Sequence, residues 1–263
     1  MKQKILIGAG IQSDLGALYQ RVSAFLNPQN EYFFTFLCVD EGVGNELIAA
    51  TTNRNSSMHS LDLLKKVEFE LKVENLNISN TINVEAFKSE LNDGTLAGLS
   101  GVADLFIIDS SIFVNQNDWC ELIELVHKVN CPVLVLPKNA TVNRLIMVHE
   151  PEHHSLYIVK DFLKIFKPDL TELPLSVLFN FPEDEGQTEN EKFFVDYLKM
   201  AFPNIGMQLM VDEPINEFFN ELNADTDRAL ILTGTNLGEE ILACSKTIAD
   251  CTAKSSPLFI YKK

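Results

Sequence analysis

The sequence predicts an α/β fold of two tandem, doubly wound units, each built on a five-stranded parallel sheet. Two observations carry this. Short apolar runs alternate with longer segments of helical periodicity, four times in each half, and each half ends on a fifth apolar run. Such alternation gives right-handed crossovers and a parallel sheet covered on both faces. The second observation is an internal echo. Cys131-Pro132-Val133-Leu134-Val135-Leu136-Pro137 is an apolar run bounded by prolines, the pattern of a buried parallel strand. Pro132 sits where a strand begins, a position that tolerates proline. Ser256-Pro257-Leu258-Phe259-Ile260-Tyr261 is a near-copy at the end of the sequence. The echo divides the 263 residues into units 1–138 and 139–263, each of ordinary domain size.

In the first unit, Lys4 to Ala9 reads as a buried strand, with Gly8 and Gly10 allowing a turn at its end. Ser13 or Asp14 caps the next helix, whose apolar face is Leu15, Leu18, Val22, Phe25 and Leu26. Tyr32 to Val39 is a second strand, followed by a long polar loop over Asp40 to Ser57. His59 to Asn75 is helical, and Ile78 to Val84 is a more polar strand suited to a sheet edge. Glu85 to Leu99 reads as a helix broken at Asp93-Gly94. Ala103 to Asp109 is a strong strand, Asp118 to Val129 a helix, and the proline-bounded run closes the unit.

The second unit follows a short link, Lys138 to Val142. Arg144 to Val148 matches Lys4 to Gly8, and His154 to Phe166 is helical. Pro174 to Phe181 is a strand with a short acidic loop, Glu183-Asp184-Glu185, after it. Glu189 to Ala201, Pro214 to Leu222 and Glu239 to Cys251 read as helices. Ile205 to Val211, Ala229 to Thr233 and Leu258 to Tyr261 read as strands.

Composition narrows the function. A formal net charge of −16 repels phosphate backbones and anionic lipid, which argues against nucleic-acid and membrane partners. Five scattered cysteines with no C-x-x-C pair fit reduced thiols in a cytoplasmic protein, and Cys131 reads as a small core residue. The apolar run after Met1 is too short for a signal-peptide core, and no stretch reaches membrane-spanning length.

Val102-Ala103-Asp104-Leu105-Phe106-Ile107-Ile108, then a loop and helix, then Cys131-Pro132-Val133-Leu134-Val135, resembles the universal stress protein family. Arg144-Leu145-Ile146-Met147-Val148 resembles that family's first strand. The resemblance spans nearly the whole chain as two copies. It implies an adenine nucleotide alpha hydrolase-like fold with strand order 3-2-1-4-5 in each copy, and a role in stress response or regulation. It also implies pairing of the final strands, here as a pseudo-dimer of the two halves. A homodimer and an unidentified protein partner stand beside that pairing.

Nucleotide-binding members carry Gly-x-x-Gly after the fourth strand, then nine residues, then Gly-Ser or Gly-Thr. Glycines there admit phosphate to backbone N–H groups at a helix N-terminus. The first unit has no glycine in Asp109-Ser110-Ser111-Ile112-Phe113-Val114-Asn115-Gln116-Asn117-Asp118, and Asp109 and Asp118 oppose phosphate. The second unit keeps Gly234-Thr235-Asn236-Leu237-Gly238, with Ser245 at the position of the later serine and Glu239-Glu240 beside it. Gly234, Thr235, Gly238, Ser245 and His149 are therefore the candidate ligand-binding residues, with ATP or a smaller ligand as occupant.

His149-Glu150-Pro151-Glu152-His153 matches the zinc-protease word H-E-x-x-H, but Pro151 disrupts the helix that places both histidines on one face. His149, His153 and His154 group near the sheet's carboxyl edge as a candidate metal site, weighed against a solvated polar loop. No serine elbow, dinucleotide fingerprint or Walker loop is present, and no catalytic residue is assigned. Three readings result. The first is a non-enzymatic tandem universal stress-like protein with ordinary ATP binding lost or weak and no required cofactor. The second is an ATP- or small-ligand-binding member using only its second half. The third is a hydrolase or metal-dependent enzyme using the histidines.

Overall fold

In the computed structural model the residues described are 2–10, 12–38, 67–76, 83–86, 93–113, 116–149, 154–179, 189–209, 229–245 and 256–262. The expected loop over Asp40 to Ser57, the start of the expected 59–75 helix, the acidic turn Glu183 to Glu185 and the 214–222 helix lie outside them.

Among the described residues the apolar runs form ten strands: β1 Lys2–Ala9, β2 Glu31–Cys38, β3 Asn83–Ala86, β4 Leu105–Asp109, β5 Val133–Leu136, β6 Arg144–His149, β7 Leu175–Phe179, β8 Ile205–Leu209, β9 Ala229–Thr233 and β10 Leu258–Ile260. The helices are α1 Leu15–Phe25, α2 Asp93–Ser100, α3 Gln116–Lys128, α4 His154–Ile165, α5 Glu189–Ala201 and α6 Thr235–Ser245. Residues 67–74 are helical as well. Asp14 caps α1, its Oδ1 accepting from Ala17 N at 3.0 Å. Ser13 instead holds the preceding turn, its Oγ accepting from Gly10 N at 3.1 Å. The described part of α2 begins at Asp93-Gly94, where the sequence reads a helix break. A carboxylate is stabilised there by the unpaired N–H groups of a first turn.

The two separate sheets expected from the sequence are one sheet of ten strands, ordered β3-β2-β1-β4-β5-β10-β9-β6-β7-β8. Pairing is parallel within β1–β5 and within β6–β10. β5 and β10 meet antiparallel, with Val133 opposite Ile260, Leu134 opposite Phe259 and Val135 opposite Leu258. The physical reason is edge chemistry. Each is the last strand of its half, uncharged and apolar, and an open edge of that kind pairs with any matching strand in reach.

Because strand side chains alternate, the sheet has a core on each face. Ile5, Ile7, Leu134, Met147 and Phe259 point to one core, shared by α1, α4 and α5. Leu6, Val133, Val135, Val148 and Ile260 point to the other, shared by α3 and α6. Both cores run across the β5–β10 junction. On the first face α1 and α4 meet end to end: Leu26 bridges Phe166, Asn27 N donates to Ile165 O at 3.0 Å, and Lys167 N donates to Phe25 O at 2.9 Å. On the second face His127 Nδ1 lies 3.0 Å from Glu239 Oε1.

Candidate functional site

In a doubly wound sheet the crevice for a ligand opens at the carboxyl ends of the two strands where the order reverses. Here these are β1 with β4, and β6 with β9.

At the first crevice the carboxylate that ends β4 is paired within the chain. Asp109 ends β4 and is buried. Its Oδ2 accepts from Arg21 Nη2 at 3.1 Å. Its Oδ1 accepts from Ser111 N at 3.1 Å and Ser111 Oγ at 2.7 Å. The same guanidinium donates through Nη1 to Pro137 O at 3.0 Å, tying α1 to the end of β5. Beside it Ile112 packs so closely that a Cβ on Gly10 would lie 3.0 Å from Ile112 Cγ2. Thus Asp109 is held by a cation of its own chain. Arg21 was not singled out from the sequence: it lies 88 positions from Asp109, and nothing local marks a flank arginine on an amphipathic helix.

The second crevice is different. His149 ends β6, buried and not in a solvated loop. Its ring lies 4.8 Å from that of Phe194, nearly parallel, and 4.9 Å from that of Phe179. Burial pushes its pKa down to about 4. Across the switch point, Thr233 ends β9 and Thr235 opens α6. Thr235 Oγ1 donates to Tyr261 O at 3.0 Å. The Thr233 side chain is fully buried, and its Oγ1 has no hydrogen-bond partner among the described residues.

The candidate ligand residues are thus only partly brought together. Gly234 and Thr235 are adjacent at the start of α6. Ser245 is the last described residue of that helix, so about 15 Å of helical rise separates it from Thr235. The helix begins directly after β9, which carries the serine away from Thr235. Gly238 lies against β10, where a Cβ would sit 2.8 Å from Ile260 Cγ1. Its missing side chain lets α6 pack on the sheet. His149 faces the Phe179 and Phe194 side, whereas alternation after Leu230, Ile231 and Leu232 puts Thr233 on the opposite face.

His153 lies outside the described residues, and of His154 only its place at the start of α4 is described. Among the described residues no group of three or more His, Cys, Asp or Glu is placed to hold a metal ion. Burial, and then nearby Asp104, push the Cys131 thiol up to about 12, so it is no nucleophile at neutral pH. No described helix is long and apolar enough to cross a membrane.

No family model and no curated protein matches the sequence. Among solved structures the chain is similar to a universal stress protein from Archaeoglobus fulgidus DSM 4304. The TM-score is 0.61 and the identity 13%, over 99% of this chain and 96% of that one. It also aligns with the cytoplasmic domain of a prokaryotic cation chloride cotransporter at a TM-score of 0.45 and 10% identity, over 100% of this chain and 96% of that one. The first likeness defines the class: an α/β protein with the fold of a universal stress protein.

Proposed function

We propose that this chain is a non-enzymatic, tandem universal stress-like protein, cytoplasmic and regulatory, whose two halves pair as an intramolecular pseudo-dimer. It acts through contacts with a protein partner or a small ligand, and its ordinary ATP binding is lost or weak. The observation that carries this is the Arg21–Asp109 pair, 3.1 Å apart in the first crevice and flanked by Ile112 on Gly10. A nucleotide phosphate there must displace a partly buried ion pair and meet a carboxylate, and both cost free energy. Purification without added nucleotide, followed by extraction and mass spectrometry of small molecules, tests the reading. It requires no stoichiometric nucleotide; one ATP retained per chain contradicts it.

A second reading is favoured by one specific feature, the buried Thr233 hydroxyl beside Gly234 and the start of α6. In this reading a ligand smaller than a nucleoside triphosphate sits at Gly234 and Thr235. Glu239 and Glu240 on the same helix disfavour polyphosphate.

A further inference from the structure

We propose that the junction between the halves is size-coded, so that each half accepts only the unlike half. The proposal rests on the pseudo-dimer reading and deepens it by naming what selects the partner. The junction has an approximate two-fold axis. Asn27 N to Ile165 O and Lys167 N to Phe25 O are reciprocal hydrogen bonds, and the β5–β10 ladder is reciprocal about its middle pair. The axis therefore passes through two contacts, Leu26 with Phe166 and Leu134 with Phe259. At both, the first half supplies leucine and the second half phenylalanine. All four side chains are buried, and the Phe166 and Phe259 rings meet edge to face at 5.3 Å.

On a two-fold axis a residue meets its own copy when like pairs with like. Two first halves put leucine against leucine at both points and leave unfilled volume. Two second halves put phenylalanine against phenylalanine at both points and overfill it. Cavities and overpacking both destabilise a close-packed core. Only the unlike pair fills the space, and specificity of this kind comes from penalising the alternatives.

Charge follows the same logic. Lys164 Nζ lies 2.7 Å from Asp104 Oδ1 across the junction. By the α1–α4 reciprocity the counterpart of Lys164 is Ala24. By the strand registers the counterpart of Asp104 is Ala229. Like pairing leaves Asp104 or Lys164 facing alanine. Both side chains are partly exposed, so this ion pair adds less than the four buried side chains.

The test replaces the link at 138–142 of the full chain with a protease site, cleaves the folded protein, and weighs the products by native mass spectrometry after prolonged incubation. The halves differ in mass, so every pairing is resolved. Only the one-to-one unlike pair is expected. Like pairs in comparable amount overturn the size code and leave the pseudo-dimer standing, whereas separated monomers overturn both. Reversal of the code is the second arm. Leu134→Phe and Phe259→Leu should each lower Tm, and the double variant should regain most of the loss. A double variant no better than the sum of its singles overturns the proposal, even if one single variant fails to fold.

Discussion

Enclosed by Phe179 and Phe194, the His149 imidazole stays neutral in the folded chain because burial disfavours its charged form. Unfolded, it takes up a proton near its ordinary value of 6.5. The contribution is therefore complete above that value and is lost as pH falls toward about 4, where the folded form also protonates. The loss is on the order of 3 kcal/mol. Denaturant melts from pH 7 to 4 should show this slope, and His149→Phe should flatten it. Arg21 makes a second prediction at this scale. Arg21→Met leaves the buried Asp109 carboxylate with its Ser111 hydrogen bonds but no cation, and should cost about 3–5 kcal/mol in chemical denaturation. Adding Asp109→Asn should recover part of that. An Arg21→Met protein as stable as the parent would mean that Asp109 is solvated. Neither feature is legible in the sequence. The Arg21–Asp109 pair joins residues 88 positions apart, and the His149 stack needs the tertiary approach of α5 to β6.

Elements were more legible than sites, because their signal is local. The buried strands read as apolar runs, and α1, α3 and α4 read from apolar spacing, with Leu18, Val22, Leu122, Val126, Val159 and Phe162 fully buried as periodicity requires. Glycine is the ambiguous signal. Gly94 reads as a helix break and lies in the first turn of α2. Gly238 reads as part of a phosphate loop, and its missing side chain makes room for Ile260. A glycine signals a need for space or backbone freedom, and only the neighbours say which. Two substitutions separate the cases. A Cβ at Gly98, on the exposed side of α2, meets nothing within 4 Å, so Gly98→Ala should stabilise by about 0.5–1 kcal/mol. Gly238→Ala drives a methyl group into β-branched Ile260 and should destabilise by about 1–3 kcal/mol. Thermal melts of both variants decide whether α6 packs on β10 as closely as described.

At the scale of the whole molecule, the pairing of two apolar final strands explains why one sheet forms where two were expected. Each half ends on an apolar edge strand, and the Lys138 to Val142 link keeps the other half at high effective concentration. The echo of the two final strands was readable; their fusion was not, because a strand carries no sign of which edge will meet it. Val133 lies in the ladder opposite Ile260 and is fully buried, so Val133→Asp places a charge in the junction. Both halves should then lose stability together, as one shifted transition by circular dichroism and by tryptophan fluorescence from Trp119.

Calorimetric titration of the purified chain with ATP and magnesium tests the proposal that neither crevice holds nucleotide in the ordinary way. No saturable heat is expected below millimolar ATP, because Asp109 is already paired with Arg21 at the first crevice and Glu239 and Glu240 follow the second. Saturable micromolar binding that disappears with Gly234→Asp would contradict it and place a working nucleotide site at the start of α6.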